Sequence, residues 1–146
     1  MLKKTILPAA LLLCLALQLA ACGGGAKTPL EPISVERAME TLEENYGSKV
    51  CVRGFPVAFF YSYTYSGGKV YSIFFSDSAE EFYGEIETTE EVRDDWLEVV
   101  VKEKNPLWQT VKGFFGEAGE TQEIQMLLKG VKSRISGFYY DFVKFQ

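Results

Sequence analysis

From residue 57 to residue 76 the chain alternates large apolar residues with smaller ones, and a pair of glycines interrupts the pattern midway. Phe59, Tyr61, Tyr63 and Tyr65 alternate with Phe60, Ser62 and Thr64. After the glycines, Tyr71, Ile73 and Phe75 share one face and Ser72 and Ser76 the other. Successive side chains of a strand point to opposite faces, so aromatic residues at every second position specify a half-buried strand. Gly67 and Gly68, in Ser66-Gly67-Gly68-Lys69, accept the positive φ of a tight turn. A hairpin with one aromatic face results, and the rest of the chain must cover that face.

Upstream, Ser34 precedes Val35, Met39, Leu42 and Tyr46, the spacing of one helical face. Ser34 suits the N-cap, Glu36 the positive end and Gly47 a left-handed stop. Lys49-Val50-Cys51-Val52-Arg53 reads as a short strand stopped by Gly54 and Pro56. Residues 81–87 read as a third strand completing an antiparallel meander, with Gly84 at a bulge. Asp94 or Asp95 caps a helix through Trp96, Val99 and Val100, although Val99-Val100-Val101 also suits a strand. Asn105-Pro106 starts a further helical turn with Leu107, Val111, Phe114 and Phe115. Thr121 caps a helix with Ile124, Leu127, Leu128 and Val131 on one face, in spite of Gly130. Gly137 precedes a closing strand over 138–145. The expected fold is therefore α+β: an N-terminal helix, an antiparallel meander, then helices and a C-terminal strand in one small domain over 33–146.

The first 21 residues read differently. Lys3 and Lys4 precede an apolar run of about fifteen residues, interrupted by Pro8 and Gln18, where a membrane-spanning helix needs about twenty. A cationic start, a short apolar run and small residues at its end describe a cleavable export signal over 1–21. Gly23-Gly24-Gly25, Pro29 and Pro32 make 22–32 a flexible tether. Leu19-Ala20-Ala21-Cys22 resembles the lipobox of bacterial lipoproteins. That resemblance implies cleavage between Ala21 and Cys22, diacylglycerol in thioether linkage to Cys22, and often a further acyl chain such as palmitate on the new amino group. One chain alone gives marginal membrane binding at about 0.8 kcal/mol per buried methylene, and two make a lasting anchor. Residues 34–97 also resemble small lipoproteins of Gram-positive bacteria. In these a helix ending near a Tyr-Gly pair, here Tyr46-Gly47, leads into a meander and a D-N-Y-like segment, here Asp94-Asp95-Trp96. Asp95 and Trp96 depart from that pattern, and the resemblance implies no activity.

Composition narrows the chemistry. Removing residues 1–21 takes away two of fifteen basic residues and no acidic ones, leaving 13 − 20 = −7. Such a surface is repelled by nucleic acid and by anionic headgroups, so the lipid on Cys22 is the expected tie to the membrane. There is no histidine, and hence no Ser-His-Asp triad, Cys-His pair or histidine metal ligand. With Cys22 in the thioether, Cys51 has no disulfide partner and reads as a small buried apolar residue. The 21 aromatic residues all lie beyond Cys22 and supply much of the core.

Two surfaces stand out. Glu80, Glu81, Glu85, Glu87, Glu90, Glu91, Asp94 and Asp95 form the densest acidic stretch, without the D-x-D-x-D-G spacing of a calcium loop, and read as a solvated edge. Tyr61, Tyr63, Tyr65 and Tyr71 form either core packing under the helices or a recognition platform. The expectation is a lipid-anchored, outward-facing, non-enzymatic binding or accessory protein of the bacterial cell envelope. It needs no cofactor and no metal, and its partner is an envelope protein or ligand rather than nucleic acid. The alternatives are a small envelope hydrolase using paired carboxylates, and an exclusion or immunity-type lipoprotein.

Overall fold

In a computed structural model, which describes residues 28–116 and 119–146, the hairpin forms but its first strand is far longer than the turn signals predict. Strand β2, Lys49–Tyr63, runs for 15 residues straight through Gly54 and Pro56. It pairs antiparallel with β3, Lys69–Ser76, setting Tyr61 opposite Tyr71 and Tyr63 opposite Lys69. Gly54 and Pro56 bend this strand instead of ending it. A Cβ on Gly54 would meet Val35 Cγ2 at 2.7 Å, so only glycine lets the chain pass. Pro56 lies beside a register shift between Pro56 and Ala58, where a missing N–H does least damage to the ladder.

The bend lets one strand serve two partners. Residues 49–54 of β2 pair antiparallel with β6, Ile124–Ser133, while residues 55–63 pair with β3. β3 then pairs with β5, Leu97–Lys102; β5 meets β7, Gly137–Phe145, in parallel at Val99 and Tyr140; and β7 returns antiparallel to β6. The circuit β2-β3-β5-β7-β6 closes on β2, with helix α2, Pro106–Val111, lying between β5 and β6 in the chain. This is the five-stranded Greek-key barrel of the OB-fold. Two short strands lie outside the circuit, both parallel to β2: β1, Pro32–Ile33, beside Cys51 and Val52, and β4, Gly84–Glu85, beside Ala58 and Phe59. Packing divides the chain into Met1–Leu30 and Glu31–Gln146, and all these elements belong to the second unit.

The expected order of helix, meander and helices is therefore corrected to a mixed seven-stranded sheet with little helix. Residues 97–102 form β5 because the β-branched run Val99-Val100-Val101 favours extended backbone, and its burial alternates residue by residue. The segment with helical spacing at Ile124, Leu127, Leu128 and Val131 is β6. Met126, Leu127 and Leu128 are all buried in succession, so both faces are covered and the period-two signature is lost. Thr121 caps no helix; its hydroxyl donates to the Pro56 carbonyl at 2.7 Å. The third meander strand shrinks to β4 between two 3₁₀ turns, Ala79–Glu81 and Thr89–Glu91. Pro32, the last residue of the expected tether, already belongs to β1.

The N-terminal helix is shorter than its apolar stripe. Helix α1, Val35–Glu40, starts where Ser34 Oγ accepts from the Arg37 N–H, and Asp77 accepts from the N–H groups of Val35 and Glu36 at 2.8 and 3.0 Å. After Glu40 the chain continues in turns, because Tyr46 is drawn into a parallel bridge with Gly130. Asn45 donates to Thr41 Oγ1 and to the Tyr140 hydroxyl, which itself donates to the Ala38 carbonyl at 2.6 Å. Val35 lies near Phe75 at one end of β3, and Trp108 of α2 stacks on Tyr71 toward the other, so each helix closes one mouth of the barrel. The interior between them holds Val52, Ile73, Phe75, Val99, Met126 and Leu128, all buried.

Gly130 is where turn and barrel touch: a Cβ there would sit 2.3 Å from the Asn45 carbonyl oxygen. Gly130→Ala is expected to lower stability by about 1–3 kcal/mol through forced backbone displacement, measured as a shift of the urea midpoint. An unchanged midpoint would show that the 41–47 turns are free to move away.

Candidate functional site

The inward face of the hairpin continues past the end of the barrel. β4 accompanies β2 only as far as Phe59, and β5 reaches β3 only at Val70, so residues 61–68 project beyond their neighbours. Tyr71 is buried at 6% exposure and stacks on Trp108, centroids 3.8 Å apart and planes 15° apart. Tyr61, its cross-strand partner, is 41% exposed with its ring 6.0 Å away; Tyr63 follows at 5.9 Å, edge-on to Tyr61, and is 63% exposed. Tyr65 lies in the turn and is fully exposed. Of the four tyrosines singled out from the sequence, three reach solvent and Tyr71 closes the core.

Behind Tyr71 the rings continue inward. Phe59 contacts Trp108 at 5.0 Å and Phe115 at 4.8 Å, and Phe115 stacks on Phe82 at 5.6 Å. The hairpin tyrosines are thus the solvent end of a connected aromatic row. Phe59 was read as a strand residue and Phe115 as a helix residue, and Trp108 was not singled out, because no local pattern links positions 59, 71, 108 and 115.

Lys69, opposite Tyr63 in the ladder, places its ammonium 4.7 Å from the Tyr61 ring centre and 6.0 Å from that of Tyr63. On its other side opens a groove of about 350 Å³ between the hairpin turn and the end of β5. Lys69, Lys102 and Lys104 line it together with Thr64 and Ser66, whose hydroxyls are 3.0 Å apart. The turn is held by the Thr64 N–H donating to the Gly68 carbonyl at 2.8 Å and by Gly68 N–H donating back to Thr64 Oγ1. These lysines carry no motif in the sequence; Lys102 pairs with Val70 and so lies on the face opposite Lys69, whose ammonium sits over Tyr61.

The acidic stretch takes a different role. The connection over 77–96 folds across the outside of β2 and β3, burying Ile86 and Trp96 against Val57, Ala58 and Phe74. Glu81 fastens it, accepting from Ser76 Oγ at 2.8 Å and from Trp96 Nε1–H at 3.2 Å while its other oxygen lies 3.4 Å from Arg93. The Tyr83 hydroxyl, with Asp95 and Glu81, holds the Arg93 guanidinium above even its ordinary range. A pocket of about 440 Å³ is lined by Glu36, Glu40, Asp77, Glu81, Asp94 and Asp95. Four of the six are engaged: Asp77 with α1, Glu81 as above, Asp95 with Arg93 and Glu40 with Arg37. Among the described residues no cluster of three or more ligating side chains could hold a metal.

Cys51 is buried at 1% exposure in β2, and burial pushes its thiol up. Ala21, Cys22 and the expected signal lie outside the described residues. Among those described, no helix is long and apolar enough to cross a membrane. No family model matches the chain, and no curated protein matches it. Among solved structures it is similar to a "putative aspartyl-tRNA synthetase from Leishmania major Friedlin", at a TM-score of 0.42 and 10% identity, over 83% of this chain and 21% of that one. The chain spans about a fifth of that protein's length, and so low a score carries no argument about activity.

Trp108→Ala is expected to cost about 3–5 kcal/mol, and Tyr61→Ser with Tyr63→Ser less than about 1 kcal/mol, by denaturant unfolding. Comparable losses would place both tyrosines in the core. Cys51 is expected to resist a thiol reagent in the folded protein and to react once unfolded. Because its folded pKa is raised, its contribution to stability is present below the ordinary thiol pKa and lost as pH rises through the folded value.

Proposed function

We propose that this chain is a lipid-anchored, outward-facing binding or accessory protein of the bacterial cell envelope, without catalytic activity, and that it presents its aromatic hairpin to a partner or ligand. The observation that carries the binding half is the exposure of Tyr61, Tyr63 and Tyr65 beyond a barrel that needs only Tyr71 for its own closure. Exposed tyrosines combine a large apolar ring with a polar tip at little entropic cost, which suits recognition. Barrels of this fold bind oligonucleotides and oligosaccharides through strand faces and turn loops. That analogy concerns the fold alone.

The location half rests on the export leader and on Leu19-Ala20-Ala21-Cys22. Prior engagement of four pocket carboxylates weighs against a paired-carboxylate hydrolase, whose acid and nucleophile must be free to face a substrate.

The test is the intact mass of the protein isolated from cells, together with membrane fractionation of wild type and Cys22→Ser. The expected mass is that of residues 22–146 plus at least a diacylglycerol, and Cys22→Ser is expected to leave the lipid-modified membrane fraction. A product that keeps Met1, or weighs only its bare trimmed peptide, overturns the reading.

A further inference from the structure

The bend in β2 also divides the outside of the barrel by charge. Beyond the bend, the outer face of β2 and β3 lies beneath the acid-rich connection over 77–96. Before it, the pairing of β2 with β6 and of β6 with β7 builds a second outer face, three strands wide. Lys49 pairs with Lys129 and Lys129 with Asp141; Cys51 pairs with Leu127 and Leu127 with Lys144. Directly opposed residues share a face, as do residues two apart along a strand, so Lys49, Arg53, Lys129 and Lys144 stand on one side of the sheet. Val52, Met126 and Leu128 point the other way, into the core. All four cations are exposed, and none takes part in an ion pair among the described residues. Asp141 is the one carboxylate in these stretches of strand, with Glu123 just outside, before β6. Lys49 and Lys129 are direct cross-strand partners, and like charges so placed destabilise a sheet.

We propose that this face rests on an anionic lipid surface, turning the lipid-anchored domain so that β2, β6 and β7 lie against the headgroups. The inference deepens the anchored reading above and rests on it, because four cations alone hold a protein weakly. Each cation near an anionic leaflet strengthens association by about fivefold, and lipid on Cys22 would make the contact intramolecular. Net charge predicts repulsion from such a surface, but exposed charges more than about 8–10 Å apart are largely screened at physiological salt. The face measures about 10 Å across its three strands and about 13 Å from Lys49 to Arg53. Headgroups beneath it therefore feel its four cations more than the carboxylates of the other outer face, and they relieve the repulsion between Lys49 and Lys129. Shape selects the partner. None of the four cations lines the acidic pocket or the groove beside the hairpin turn. A flat array of separate cations suits a plane of headgroups, whereas a small ligand needs a concave site. Cys51, Gln125 and Leu127 lie between the cations, so no aromatic ring there offers a nucleic-acid base a platform.

For the test, the protein is purified from cells, its intact mass recorded, and the full chain reconstituted into vesicles of phosphatidylcholine alone or mixed with phosphatidylglycerol. Amine-reactive footprinting read by mass spectrometry then reports the modification of each lysine. Lys49, Lys129 and Lys144 are expected to react about threefold more slowly or less on the mixed vesicles, with recovery at high salt and no change at Lys102 and Lys104. Arg53→Gln with Lys129→Gln is expected to weaken the contact by about tenfold or more and to return Lys49 and Lys144 to the reactivity seen on phosphatidylcholine. Arg53→Lys with Lys129→Arg should keep the protection, as should Lys102→Gln with Lys104→Gln, which makes the same change in net charge. All the substituted residues are exposed, so the variants leave the core untouched. Equal reactivity on both vesicles, uniform slowing of every lysine, or protection by single-stranded oligo-dT or polyglutamate but not by vesicles overturns the inference. A lipidated protein whose lysines stay equally reactive sinks this inference alone, while a product without lipid takes the anchored reading down with it.

Discussion

One bent strand holds the domain together. β2 changes partner along its length, pairing with β6 before Gly54 and with β3 after it. An unbent 15-residue strand would keep one partner on each edge throughout and leave the sheet open. Glycine at the corner, where Val35 leaves no room for a Cβ, and proline at the adjoining register shift let the strand turn without an unsatisfied ladder. Closure removes the exposed sheet edges that would otherwise seek another chain. The weakest seam is the single parallel pair Val99–Tyr140, and there the structure adds help from outside the sheet. The Tyr140 hydroxyl bonds Ala38 and Asn45, tying the α1 region across the joint.

The same geometry creates the hairpin's exposed end. Because β5 stops pairing at Val70 and β4 at Phe59, the last turn of the β2–β3 hairpin has no layer to cover it. Aromatic packing therefore grades from burial at Tyr71 and partial burial at Phe59, both against Trp108, to open solvent at Tyr65. Core and recognition surface form one continuous row of rings, so the rigid interior fixes the positions of the outer tyrosines. The connection over 77–96 has the opposite effect on the barrel's outside, covering Phe74 and Ala58 and placing the acidic stretch away from the lysines.

Much of the local structure was legible. The hairpin with its Gly67-Gly68 turn, the start of α2 after Asn105-Pro106 and the closing strand after Gly137 all rest on short-range signals: alternation, capping and turn chemistry. Misreadings occurred where burial came from both sides or from afar. In β6, Leu127 and Leu128 are covered on opposite faces, so spacing mimicked a helix. Around Gly54 and Pro56, two residues that usually end a strand were required by a corner that exists only once the barrel closes. The stripe through Tyr46 promised a longer helix, but a bridge to Gly130, 84 residues away, outweighed it. For the site, the tyrosines were visible as a pattern, whereas the burial of Tyr71 against Trp108 was not.

By itself the sequence determined the chemistry at hand: no histidine, a single cysteine beyond Cys22, an acid-rich chain with its aromatics concentrated after residue 22, and a hairpin that must bury one aromatic face. Those properties depend on composition or on neighbours a few residues apart. Only the tertiary structure decided that the strands close into a barrel, which tyrosines are left for solvent, and that basic and acidic groups gather at opposite ends of β3. Each of these depends on contacts between residues tens of positions apart, whose register is set by packing and cannot be read from any local period.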